Sequence, residues 1–130
     1  MSSNDRQEQS FVLHDVNETL AWADKMLERA EEFRNAGNAR GANDKIRQGY
    51  AVLNDQACAY HSRYKYYEAE PLLRKLIKIG EMMPLDEPVR PEIALLFLSD
   101  CCYALGKFQE AAVLREQVIE CLHRIIEANC

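Results

Sequence analysis

Glycine and proline are scarce in this chain, five and four among 130 residues. With so few breakers, and with alanine, leucine, glutamate, lysine and arginine abundant, long helices are favoured over a turn-rich β architecture. No apolar run approaches the roughly 18 residues that a membrane-spanning helix needs, so no membrane partner is expected. The sixteen Lys and Arg are scattered with no run of them, which argues against a surface that tracks nucleic-acid phosphates. The opening MSSNDRQEQS has no apolar h-region and does not read as a secretory signal. Five cysteines, an odd number, then fit a reducing compartment, and a cytoplasmic location is the expectation.

The signatures of chemistry are missing as well. There is no CxxC, no HExxH and no pair of histidines at metal-binding spacing. Cys101 and Cys102 are adjacent and point about 100° apart on a helix, while Cys121 and His123 fall on different faces. AGNARGAN over 36–43 lacks the Lys-Ser/Thr ending of a phosphate loop. Cys58 and His61 share one helix face, but the sequence shows no orienting acid or oxyanion device beside them. No catalysis, metal or cofactor is therefore expected.

What remains is an ordinary globular composition, 48% apolar and 28% charged, with a formal charge of −5 and a pI near 5.2. Folding a chain of this size buries about two-thirds of its unfolded surface, enough for one stable core without staples. Residues 1–10 are polar and read as a flexible N-terminus; 11–130 read as a single helical domain.

Five helices are predicted. Asp15 followed by Glu18 has capping-box spacing. After it Val16, Leu20, Ala23, Leu27, Ala30 and Phe33 recur at steps of three and four. Gly37 and Asn38 end that helix. The second covers 39–62 along Ile46, Tyr50, Leu53, Ala57 and Tyr60, with a glycine-free turn at Arg63, Tyr64 and Lys65. The third covers 66–82 along Ala69, Leu72, Leu73, Leu76 and Ile79. A proline-rich loop over 84–91 leads to the fourth, 92–105, apolar nearly all round and so packed on two sides. Gly106 ends it, and the fifth runs over 108–127. Acidic pairs such as Glu31 and Glu32, or Glu68 and Glu70, read as solvated faces. Of the crowded tyrosines, Tyr60 and Tyr66 read as core, Tyr64 and Tyr67 as rim.

The two halves resemble each other. KYYEAEPLLRKLI from Lys65 lies over KFQEAAVLREQVI from Lys107, pairing Tyr66 with Phe108, Ala69 with Ala111, Leu72 with Leu114 and Leu76 with Val118. The offset, 107 minus 65, is 42 residues. Upstream the same register pairs Leu53 with Leu95 and Ala57 with Ser99. A fainter echo sits at Ala30, Phe33, Gly37 and Ala42, too close to be a full copy, so the first helix is read as packed on the second, outside the regular array.

These strings resemble tetratricopeptide repeats, in particular the 42-residue variety of kinesin light chains, with repeats over 50–82 and 92–127. YYEAEPLL and GKFQEAAVL stand where that family's second helices begin. The second copy departs at Cys102, where the family has an aromatic, and the first at Tyr64, where it has Gly. The resemblance implies antiparallel helical hairpins in a right-handed superhelix, with ligands held in a groove lined by the first helix of each hairpin. Its register places Asn54, Cys58 and His61 from one hairpin, and Leu96, Asp100 and Tyr103 from the other, in that groove. The implied function is a non-catalytic adaptor or scaffold that binds a peptide or helix of a partner protein. A small acidic chaperone for one client and a self-assembling structural subunit are the alternatives. A homodimer through the fifth helix is the simplest form of self-association.

Overall fold

The computed structural model describes residues 12–84 and 89–129, and all regular structure among them is helical. The expected flexible N-terminus, and part of the loop over 84–91, lie outside the described residues. Five helices follow in order: α1 (Val16–Asn35), α2 (Ala39–Ser62), α3 (Tyr66–Gly80), α4 (Pro91–Ala104) and α5 (Phe108–Ala128). Each packs against the next as an antiparallel hairpin, and α1 also reaches α3. The core draws most on the stripes of α2 and α3; on α5 burial runs through Ala111, Leu114 and Val118 and stops there, leaving Leu122 and Ile125 exposed, and on α1 Thr19 and Met26 are buried while Leu20 and Leu27 are only partly so. Ile46, Leu53, Leu72, Leu73, Leu76 and Ile79 are almost wholly withdrawn from water, each contributing about 1.5–3 kcal/mol relative to exposure.

Asp15 caps α1 as its spacing indicates, its carboxylate accepting from the amides of Asn17 and Glu18 at 3.0 and 3.2 Å. The preceding extended segment is clipped to α2. The buried Gln56 side chain donates to the Val12 carbonyl and accepts from the His14 amide, both at 2.8 Å. The Tyr60 hydroxyl donates to the His14 carbonyl at 2.6 Å. The third helix stops at Gly80, two residues short of expectation. The Met82 and Met83 amides bond to the carbonyls of Ile79 and Gly80 instead, tightening the last turn, because Pro84 disfavours helical backbone in the residue before it.

Three turns close with one geometry. Gly37, Tyr64 and Gly106 each take a positive φ, 77°, 60° and 82°. In each the following residue donates back across the turn: Asn38 to Phe33, Lys65 to Tyr60 and Lys107 to Cys102, at 2.7–3.0 Å. This is the hydrogen-bond pattern of a left-handed helix cap. The glycine-free turn therefore does not differ in shape, and Tyr64 adopts the conformation that glycine adopts in the other two. Tyr64 and Tyr67 are exposed, Tyr60 is buried and Tyr66 half-buried, as expected.

One acidic residue departs from its reading. Glu70 is buried, not solvated. Its Oε2 accepts from Lys107 Nζ at 2.6 Å and from Arg74 Nη2 at 2.7 Å, and Arg74 Nη1 reaches Glu110 Oε2 at 2.8 Å. Burial alone would raise the Glu70 carboxyl, but the hydrogen bonds from Lys107 and Arg74 outweigh it and hold it below the ordinary carboxylate range. This network ties α3 to the head of α5 across the C-terminal end of α4.

Candidate functional site

The first helices of the two similar hairpins, α2 and α4, meet through side chains at His61. The His61 ring, half-buried near the end of α2, stacks on Phe97 of α4 with centroids 3.9 Å apart and planes 11° from parallel. Its Nε2 lies 2.9 Å from Asp100 Oδ2. Tyr66, the first residue of α3, meets the same imidazole edge-on at 5.8 Å. Three helices thus fix one imidazole.

Beside this contact lies an open recess of about 230 Å³ between α2, α3 and α4. Tyr50, Asn54 and Cys58 line it from α2, Ile93 and Phe97 from α4, and Arg90 from the residue that precedes α4. Spacing explains the wall: 50, 54 and 58 recur every four residues and so form one ridge of a helix. Arg90 is anchored there by its ion pair to the buried Glu92.

Of the six residues expected in a groove, Asn54 and Cys58 line the recess, and His61 and Asp100 meet each other at the contact with Phe97. Leu96 and Tyr103 do not line the recess. Both are exposed on α4, and Tyr103 packs edge-to-face on Phe108 at 5.2 Å, with the Arg115 guanidinium 5.7 Å from its ring. Sequence reading missed Phe97, Ile93 and Arg90. Ile93 and Phe97 carried a signal, since an all-round apolar helix must present some apolar residues to its open side.

The structure supplies the acid that the sequence did not show beside His61, namely Asp100. However, the Cys58 thiol lies against Asn54 Oδ1 at 3.8 Å and is raised above its ordinary pKa by burial and then by Asp55. A nucleophilic cysteine needs the opposite shift. Among the described residues no group of His, Cys, Asp and Glu is placed to hold a metal ion, and no helix is long and apolar enough to cross a membrane. Compared with known proteins, the chain matches no family model and no curated protein.

Proposed function

We propose that this protein is a non-catalytic interaction module of the tetratricopeptide type, cytoplasmic, that binds a peptide or helix of a partner protein between α2 and α4. The observation that carries this reading is the recess itself. In two hairpins related by 42 residues, His61 of the one first helix meets Phe97 and Asp100 of the other, and a largely apolar recess stays open between α2, α3 and α4. A volume of about 230 Å³ falls below the roughly 300–1,000 Å³ of small-molecule sites. It suits one or two side chains of a longer ligand. Asn54 and Arg90 offer donors, Asp100 an acceptor, and Tyr50, Ile93 and Phe97 apolar contact, the mixture that fixes a peptide's register as well as its affinity.

The test is a paired capture. The intact chain and an Ile93→Asp, Asp100→Arg double variant are used to pull partners from a native lysate, with circular dichroism confirming equal helicity. Both substituted residues are at least partly exposed, so the fold is expected to survive. A protein retained by the intact chain and lost by the variant supports the groove. Identical retention by both would refute it.

A further inference from the structure

The recess and the His61 contact share one ring. Phe97 both lines the recess and stacks on the His61 imidazole, so a side chain that enters the recess lies beside the ring that the His61–Asp100 pair adjoins. The charges on this surface are not equally available. At the recess the Arg90 guanidinium is matched by the Glu92 carboxylate, 7% exposed, and the pair carries little net charge. Asp100 is different. Its side chain is 37% exposed and its ion-pair partner is the His61 ring. A neutral imidazole donates a hydrogen bond but cancels no charge, and a carboxylate has about four acceptor sites, of which His61 takes one. Asp100 therefore keeps its negative charge and has acceptor capacity to spare.

Spacing adds a ruler. Ile93 at the recess and Asp100 stand seven residues apart on α4, about 10 Å along a helix axis. A recess of about 230 Å³ is too small to seat a helix ~10 Å across, so the segment that fills it is extended. In the polyproline II form a chain advances 3.1 Å per residue with three residues per turn, which puts side chains i and i+3 on one side, about 9 Å apart.

We infer that the segment bound between α2 and α4 carries an aliphatic side chain, seated in the recess, and a Lys or Arg three residues from it, seated on Asp100. This rests on the groove reading above and names the chemistry of its ligand. The formal charge of −5 on the chain favours the approach of a basic segment, and Asp100 fixes where its cation lands. An acidic segment would set like charge against Asp100, while Arg90, matched by Glu92, offers it little in return.

The probe is a random dodecapeptide display library, selected on the intact chain at pH 8, above the ordinary histidine range. Salt is held at 0.15 M, where exposed charges more than about 8 Å apart are largely screened. Selected peptides are expected to share an aliphatic residue with Lys or Arg three places from it. Asp100→Asn keeps an acceptor for His61 and removes the charge, so it should weaken the best peptide about fivefold. It should weaken no further the same peptide with its basic residue replaced by alanine, because the two changes remove one interaction. Selection on Asp100→Lys should turn the basic position acidic. Ile93→Ser, at a position exposed within the chain, reports on the recess without altering charge. Peptides that need Ile93 but lack the basic residue, or whose basic residue contributes equally in Asp100→Asn, would overturn the inference and leave the groove standing. Peptides indifferent to Ile93, or no selected peptide at all, would refute the groove reading and the inference with it.

Discussion

Replacing Tyr64 by glycine should make the protein more stable, against the usual effect of removing an aromatic side chain. Tyr64 is the single described non-glycine residue with positive φ, at 60°. An L-residue held in that region carries roughly 1–2 kcal/mol of steric cost that glycine does not. Against this, glycine gives the unfolded chain more freedom, about 0.4–1 kcal/mol. The Tyr64 ring contributes little: it is 78% exposed and its ring contact is with Tyr66, edge-on at 6.3 Å, worth a few tenths of a kcal/mol when solvated. The balance is a gain of about 0.5 kcal/mol for Tyr64→Gly. With a urea slope near 2 kcal/mol/M, the midpoint should rise by about 0.2–0.3 M.

Two companion variants isolate the cause. Tyr64→Ala removes the ring but keeps the Cβ, so it should stay within a few tenths of a kcal/mol of the parent. Gly106→Ala introduces a Cβ at the equivalent turn. Nothing lies within 4 Å of that Cβ, so its loss of about 1 kcal/mol is purely conformational. The reasoning fails if Tyr64→Gly lowers the urea midpoint, or if Gly106→Ala leaves it unchanged.

Glu70→Gln should cost about 1–2 kcal/mol at pH 7, because two charge-assisted hydrogen bonds to a buried acceptor are weakened. Since the folded carboxyl titrates below its unfolded value, its contribution is complete above the ordinary carboxylate range, about 4.3. It is lost as pH falls through the folded value. Urea midpoints of parent and variant should therefore converge in acid, and a gap that persists at low pH would refute the assignment. Burial pushes the Cys101 thiol up to about 12, with Cys102 adding to it, and burial raises Cys102 as well. Neither should react with a thiol reagent at pH 8 until the protein unfolds, and modification of either faster than global unfolding would show that α4 opens locally.

What the sequence made legible, and what it did not, follows from how far each interaction reaches along the chain. The helices were readable because their determinants are local: apolar residues at steps of three and four, an Asp15 cap, and breakers at Gly37, Gly106 and the proline cluster. The hairpin arrangement followed from short turns between amphipathic helices. Tyr64 was opaque because no residue type advertises a left-handed tyrosine; the turn forms because the helices on either side pack, and tertiary burial outweighs a cost of one or two kcal/mol. Glu70 was misread for a related reason. A carboxylate is expected outside unless cations meet it, and one of its two, Lys107, stands 37 residues away. The candidate site shows the limit most clearly. A register of 42 pairs His61 with Tyr103 and Cys58 with Asp100 as equivalent positions, yet the contact joins His61 to Asp100, 39 residues apart. Equivalence says which residues occupy the same place in two hairpins; contact depends on how far one helix is displaced along the next. That displacement is set by Phe97 stacking on His61 and by Leu73 filling the seam, so it belongs to the packing between hairpins and is written in no single helix.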